Sequence, residues 1–508
     1  MRDPLLYLSP TSTASLQAQI REMLVSAILD GHIPGGDALP SCRRLATQLG
    51  VARNTVVIAY QQLVDQGYLI AHERSGYYVN QDILAGRIAK SRPIKDIATA
   101  APDWVRRLKL RPSLQRNIVK PRDWQKYPYP FIYGQFDAAL FPIADWRECA
   151  REALSVTAIR DWARDRVDSD DPLLIEQLHT RVLPRRGVWA TPEEILVTVG
   201  AQQALYLLAN LLIDDDSTVG IEDPGYPDAR NIFDIRTSRV VGLPVDELGL
   251  MIDPRLDGCD CIYVTPSHQF PTTVTMPLAR RHELLRHAAD CDFVIIEDDY
   301  ENETNFVGDP TPALKSLNEN DRVIYVGSLS KTLAPGLRLG YMVGPVPLIR
   351  EARALRRLML RHPPTNNQRA VALFLARGHH DSLVRRLSHA FRDRWQAMGD
   401  ALTRYLPDSA RVPSFGGTSY WVKGPAGLDA KLLERKAREQ GILIEAGDVH
   451  FLSDQPPLNY FRLGFSSIQV DRIDPGIGKL ADLIHESMGQ QRRIPGVEPR
   501  SRAPTPAP

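Results

Sequence analysis

The sequence predicts an α/β protein with a mostly parallel sheet, preceded by a small helical unit that carries a β-hairpin. Three observations lead there. From about residue 131, short β-branched runs alternate with helical periodicity, as where ILVTVG (195–200) passes into AQQALYLLANLLI, and strands separated by helices form parallel sheets because parallel neighbours need a crossover. Residues 16–65 hold three helical stretches instead. Residues 68–79, YLIAHERSGYYV, alternate around a turn at Ser75 and Gly76, as a hairpin does.

Composition narrows the class. A chain of 508 residues is long enough for two or more domains, and 43% hydrophobic with 24% charged residues is ordinary for a globular protein. No run approaches the ~20 apolar residues of a membrane span, and MRDPLLYLSP lacks the cationic start and apolar stretch of a signal peptide. A cytoplasmic protein without a membrane partner is the expectation. Cys42, Cys149, Cys259, Cys261 and Cys291 are odd in number and show no C-x-x-C pair, which argues against a disulfide framework and a zinc site. They read as reduced residues, with a redox role left open at Cys42, and no metal site is expected. The net charge of +1 conceals segments of 0 over residues 1–80, +8 over 81–130 and −7 over the remainder, so the middle segment is the basic one.

In the first unit, Leu16, Ile20, Leu24, Ala27 and Ile28 share one helical face, and Gly31 ends that helix. A second helix starts after Pro40 with Ser41 as its N-cap, and Gly50 suits its C-terminal turn. The third, RNTVVIAYQQLVDQG, turns Val56, Ala59, Tyr60 and Leu63 inward and begins with Arg53, Asn54 and Thr55. Such side chains reach phosphates and base edges when a helix N-terminus enters the major groove. Helix count alone would equally suit a small protein-binding bundle.

The string LPSCRRLATQLGVARNTVVIAYQQLVDQGYL resembles the winged-helix domain of GntR-type transcription regulators. That resemblance implies a DNA-binding domain over residues 11–80, with Arg43 and Arg53 as main contacts and Ser41, Asn54, Thr55 and Gly76 in support. Ala52 stands where a serine is frequent, which removes one possible phosphate hydrogen bond. A domain without net charge leaves the +8 segment to supply part of the attraction to DNA. Residues 81–130, including AKSRPIKD and VKPRDWQKYPYP, show no sustained period and read as a basic flexible linker.

In the large domain, expected over 131–488, the turn Gly200, Ala201, Gln202 follows a strand and opens a helix, a geometry that suits phosphate. FVIIEDDY is a buried strand ending in carboxylates, and Tyr300 lies two residues past Asp298, on the same side of an extended chain. VIYVGSLSKTLAPGLRLGYMVGP (323–345) sets Lys331 just past a buried strand. Desolvation there lowers a lysine pKa toward nucleophilic range, as capture of an aldehyde needs. Ser328, Ser330 and Arg338 beside it suit an anion; a solvated loop lysine is the other reading.

The pattern S-x-S-K-x-x-x-P-G-L-R-x-G-Y resembles the cofactor-lysine segment of fold-type I aminotransferases. It implies that Lys331 forms the aldimine with pyridoxal 5'-phosphate (PLP), while Ser328, Ser330, Arg338 and the Gly200–Gln202 turn hold the phosphate. Asp298 would keep the pyridine nitrogen protonated, Tyr300 would donate to the ring oxygen and Tyr226, in D-P-G-Y, would stack on the ring. Arg462, in NYFRLGFS, would grip a substrate or effector carboxylate, a structural salt bridge being its alternative. Where these enzymes commonly have N-P-T-G, Phe270 precedes Pro271 and Thr273 replaces glycine, leaving His268 or Gln269 to make the asparagine's contact.

Together the two halves resemble the MocR subfamily of GntR-type regulators. This implies a PLP-binding transcription regulator that senses PLP or a small amino compound through an aldimine at Lys331. It also implies a head-to-tail homodimer on an operator with repeated or palindromic half-sites. The alternative is an active PLP-dependent aminotransferase with an appended DNA-binding domain. A disordered tail is expected over 489–508, where prolines and polar residues offer no means of building a core.

Overall fold

The computed structural model describes residues 8–9, 12, 14–84, 102–301, 303, 305–306, 311–318, 320–407, 409 and 416–489. The chain divides into two compact units, Met1–Arg107 and Leu108–Pro508.

The first unit is three helices and a hairpin. Helix α1 (Leu16–Leu29) buries Ile20, Leu24, Ala27 and Ile28, as the spacing predicts; Leu16, in its first turn, stays 48% exposed. Helix α2 (Cys42–Leu49) starts at Ser41, whose hydroxyl accepts from Arg44 N at 3.3 Å, and stops at Gly50 in the left-handed conformation, φ 67°. Helix α3 (Arg53–Asp65) buries Val56, Ala59, Tyr60 and Leu63, and Tyr60 OH donates to Pro40 O at 2.9 Å, tying α3 to the entry of α2. Strands β1 (Leu69–His72) and β2 (Gly76–Val79) pair antiparallel from Leu69↔Val79 to His72↔Gly76. This is a winged helix-turn-helix, and its core joins all three helices to Leu69 and Val79 of the wing.

The linker expected over 81–130 is shorter in the structure at its C-terminal side. Residues 85–101 lie outside the described residues, as do 490–508 of the expected tail. Residues 108–130, however, belong to the large unit. Gln115 Nε2 donates to Asn231 O at 3.0 Å, Arg116 Nη2 pairs with Asp448 Oδ2 at 3.3 Å, and β3 (Tyr129–Pro130) pairs in parallel with Ile442–Leu443. The segment is held by individual side chains rather than by a periodic apolar face, so periodicity does not reveal it.

The main sheet of the large unit contains β4 (Ile195–Thr198), β5 (Val219–Asp223), β6 (Val240–Asp246), β7 (Gly249–Leu250), β8 (Cys261–Val264), β9 (Val294–Asp299), β10 (Val323–Ser328) and β11 (Gly340–Val343). Their order across the sheet is β4-β11-β10-β9-β8-β5-β6-β7. The pairs β10–β9, β9–β8, β8–β5 and β5–β6 are parallel, while β11 runs against both of its neighbours and β7 against β6. Both faces are covered, so β4, β8 and β11 are buried at every position and read as continuous apolar runs. Within β4, Leu196 joins one apolar cluster and Ile195 and Val197 the other, one on each face. A smaller sheet of Ser419–Lys423, Tyr460–Gly464 and Glu445–Ala446 has its own core with helices His379–Tyr405 and Val470–Ser487. The loops after parallel strands β4, β5, β8, β9 and β10 gather at one end of the main sheet, where α/β folds place their ligand sites.

Candidate functional site

A cavity of about 260 Å³ opens at that end, lined among others by Ala201, Gln202, Tyr226, Asp298, Tyr300, Ser328, Ser330, Lys331 and Arg338. The expected cofactor residues therefore meet in one place. Gly200 adjoins them: a Cβ there would fall 2.9 Å from Arg338 Nη2, and its φ is +80°, so only glycine lets the guanidinium close over the turn. Arg338 Nη2 donates to Val199 O at 3.3 Å. Helix Ala201–Leu212 begins without a side-chain cap, leaving its first N–H groups to the cavity end. Ser330 is already occupied. Its hydroxyl donates to Leu339 O at 3.1 Å and accepts from Leu339 N at 2.9 Å, so it fastens the loop around Lys331.

Lys331 is accessible from the cavity yet ringed by protein. Burial, helped by Lys120 and Arg462 against the opposing pull of Glu301, lowers its ammonium to about 8. The Nζ lies 4.6 Å from the centre of the Tyr133 ring. At neutral pH a useful fraction of this amine is uncharged and nucleophilic.

The three carboxylates at the end of β9 separate by strand alternation. Glu297 accepts the N–H groups of Leu314 and Lys315 at 2.7 and 2.8 Å, and Asp299 pairs with Arg186 Nε and Tyr325 OH, both at 2.8 Å. Only Asp298 faces the cavity. Its Oδ2 accepts from Tyr263 OH at 2.8 Å, whereas Oδ1 is buried without a hydrogen-bond partner among the described residues. Burial pushes the Asp298 carboxyl up to about 7. A buried carboxylate oxygen without a donor is a site waiting for one, and a pyridinium N–H is such a donor. The residues present fit PLP.

Tyr226 lines the cavity, its OH donating to Asp228 Oδ2 at 3.1 Å and its ring 5.0 Å from Phe270 in edge-on contact. The same Asp228 oxygen accepts from Gln202 Nε2 at 2.5 Å. Neither His268 nor Gln269 lines the cavity. Gln269 is spent on Glu222, Pro224 O and Phe270 O, and the ring of Phe270 fills the wall instead.

Arg462 departs from its expected place. It does not line the cavity and is fully buried. Its Nε donates to Glu445 Oε2 at 2.8 Å, while Nη2, also 2.8 Å from that oxygen, is buried without a hydrogen-bond partner among the described residues; the guanidinium lies 4.2 Å from the Tyr133 ring centre and 4.4 Å from that of Phe270. The salt-bridge alternative describes this geometry. Residues that sequence reasoning missed include Tyr263, Tyr133 and Lys120. Lys120 comes from the expected linker, lines the cavity, and donates to Tyr133 O while its Nζ stands 3.3 Å from Glu445 Oε1. No period or motif marks it. Away from the cavity, Asp257, His287 and Cys291 bring ligand-type atoms together at the surface, but His287 Nε2 already bonds Asp257 Oδ1 at 2.8 Å.

In the first unit, Arg43, Arg53 and Asn54 are exposed and Thr55 partly so, all at or near the N-termini of α2 and α3. Ser41 spends its hydroxyl on capping α2. Gly76, φ +109°, opens the second strand of the wing. Helix α3 has no side-chain cap at Ala52.

Comparison with known proteins agrees with both halves. The family described as bacterial regulatory proteins, gntR family, matches residues 16–79, and aminotransferase class I and II, a PLP-dependent fold family, matches residues 136–473. The HTH-type transcriptional regulator TauR of Rhodobacter capsulatus is 42% identical over 475 residues, covering 94% of this chain and 98% of that protein. The probable rhizopine catabolism regulatory protein MocR of Rhizobium meliloti is 30% identical, covering 96% and 97%. Among solved structures, a kynurenine aminotransferase of Pyrococcus horikoshii superposes with a TM-score of 0.68 at 27% identity, over 76% of this chain and 98% of that one. No helix among the described residues is long and apolar enough to cross a membrane. A gntR-type reading head followed by an aminotransferase-class unit, matched end to end by such regulators, means that the chain belongs to the MocR-like family of HTH-type transcriptional regulators.

Proposed function

We propose that this regulator binds PLP at Lys331 and reports the arrival of a small amine, or of PLP itself, as a change in DNA affinity. The observation that carries the reading is the buried Oδ1 of Asp298, without a hydrogen-bond partner among the described residues, in the same cavity as Lys331, whose ammonium is lowered to about 8. Bound there, PLP supplies an aldehyde for amines and an electron-withdrawing pyridine ring. The protein's part is to hold it. Ser328, Arg338 and the N–H groups after Gly200 receive the phosphate, Asp298 keeps a proton on the ring nitrogen, Tyr226 covers the ring and Tyr300 tunes its oxygen. Arg43 and Arg53, with Asn54 and Thr55, contact the DNA. A second copy of the chain would let two reading heads address repeated or palindromic half-sites.

A ligand shifts DNA affinity only if it binds one conformation more tightly than another. The test is a visible absorption spectrum of the purified chain together with gel-shift titration of its own upstream DNA, with and without PLP and a panel of amines. A PLP band and ligand-dependent DNA affinity support the reading. A PLP band with rapid keto-acid production and no specific DNA binding would replace it with a working aminotransferase.

A further inference from the structure

Three side chains of metal-ligating type meet at the end of the main sheet remote from the cavity. Asp257 precedes β8, while His287 and Cys291 precede β9. These strands run parallel, so all three residues stand at their N-terminal ends, whereas the cavity lies beyond the C-terminal ends. We propose that Asp257, His287 and Cys291 form a zinc site, with water as the fourth ligand, that pins the entries of β8 and β9 together. The proposal is independent of the PLP reading.

The separations suit the metal. His287 Nε2 stands 2.8 Å from Asp257 Oδ1, and Cys291 Sγ lies 3.7 Å from each of those atoms. A triangle with these edges has a circumscribed radius of about 2.0 Å, and zinc bonds to nitrogen, oxygen and sulfur measure about 2.0–2.3 Å. An ion slightly above the plane of the three atoms therefore reaches all of them with little movement. A thiolate, an imidazole and one carboxylate make a zinc set, whereas magnesium and calcium take oxygen ligands.

The elements hold these groups in place before any ion arrives. His287 and Cys291 are four residues apart, on one face of the C-terminal end of helix Leu278–Asp290. The Cys291 N–H closes the last turn on His287 O at 2.9 Å. The His287 ring is backed by fully buried Phe293, with 6.0 Å between ring centres. Asp257 is carried by the short 3-10 helix Pro254–Gly258, anchored by fully buried Leu256 and capped by Asp253, which accepts from Arg255 N at 3.0 Å. The C-terminus of a helix is its negative end and favours a cation, and the neighbouring Asp290 adds negative charge.

The hydrogen bond between Asp257 and His287 is what the ion replaces. It is exposed to water, where such a contact contributes little to stability. On binding, a neutral His287 carries its proton on Nδ1 and gives the Nε2 lone pair to the metal, while the Cys291 thiol releases its proton to solvent. Two anionic ligands then neutralise the divalent ion. Sequence spacing conceals the site, because Asp257 lies 30 residues before His287 and the pairing of β8 with β9 brings them together. The expectation of no metal site rested on the missing C-x-x-C pair, a different ligand pattern.

The experiment follows Cys291 in the reduced, chelator-treated full chain by iodoacetamide alkylation and peptide mass spectrometry, with the half-buried Cys42 as internal reference. Zinc is expected to slow alkylation of Cys291 roughly tenfold or more, because the metal holds the thiolate, and to leave Cys42 unchanged; magnesium should do neither. His287→Gln and Asp257→Asn should each need roughly ten- to a hundredfold more zinc for equal protection, at least the loss that follows removal of a supporting group from a metal site. Cobalt(II) gives a second readout, a thiolate-to-cobalt charge-transfer band that Cys291→Ser abolishes and Cys42→Ser preserves. Unslowed alkylation of Cys291 in wild type overturns the site. So do equal protection of Cys42, undiminished protection in His287→Gln, or a cobalt band that survives Cys291→Ser.

Discussion

Replacing Asp298 with asparagine should weaken cofactor binding while stabilising the cofactor-free protein, and these opposite signs make it a demanding test. Asp298 is 3% exposed, and its carboxyl is raised by burial from 3.8 to about 7. At roughly 1.4 kcal/mol per unit, keeping it ionised costs the free protein on the order of 4 kcal/mol above pH 7. The sign follows from linkage. Between pH 4 and 7 the folded state holds a proton that the unfolded state has released, so this group's contribution to stability falls as pH rises through that window. Asparagine removes the penalty and can still accept from Tyr263 OH through its carbonyl. It cannot hold a proton on a pyridine nitrogen by charge, and loss of one charge-assisted hydrogen bond is worth about 1.5–3 kcal/mol. Thermal unfolding of cofactor-free Asp298→Asn should therefore show a gain of stability at pH 7 and a flatter pH dependence than wild type. Equilibrium dialysis with PLP should show an affinity about ten- to a hundredfold weaker. An Asp298→Asn variant that binds PLP as tightly as wild type would refute the role given to Oδ1.

Other expectations are more direct. Cofactor uptake by the free protein should quicken about tenfold per pH unit below 8 and level off above it, because only neutral Lys331 captures an aldehyde and its ammonium is lowered to about 8; stopped-flow absorbance checks this, and a flat profile would remove Lys331 as the titrating amine. Arg53→Ala should weaken binding to upstream DNA and lower the salt slope by about one unit if Arg53 touches phosphate, leaving the cofactor band unchanged. Ala52→Ser should supply the missing cap of α3, worth about 0.5–2 kcal/mol, and slow hydrogen exchange at the Asn54 and Thr55 amides; unchanged exchange would mean that the new hydroxyl does not cap.

Much of the site was legible because its residues sit in strand-to-loop junctions with local patterns. A buried run followed by S-x-S-K fixes where Lys331 emerges, and alternation in EDD decides which carboxylate faces the cavity once the sheet is paired. Helical spacing likewise marked the buried faces of α1 and α3, with Leu16, exposed in the first turn of α1, excepted. The failures have a common cause. Arg462 carries a motif but not its partner: Glu445 lies in a different strand, and only the register Glu445↔Arg462 brings them together. Ser330 reads as free in sequence, yet Leu339, nine residues on, claims its hydroxyl in both directions. Lys120 lies in a proline- and lysine-rich stretch that reads as tether, since long-range hydrogen bonds leave no periodic trace.

The central claim is that amine chemistry at Lys331 governs DNA affinity, and one paired measurement tests it. Wild type and Lys331→Ala, each incubated with PLP, are titrated against the upstream DNA by fluorescence anisotropy, while the visible absorption of the same samples is recorded. Wild type should show the cofactor band and a DNA affinity that moves with PLP or an added amine; Lys331→Ala should lose the band and keep a DNA affinity indifferent to both. Equal ligand response of DNA binding in the two proteins would contradict the account.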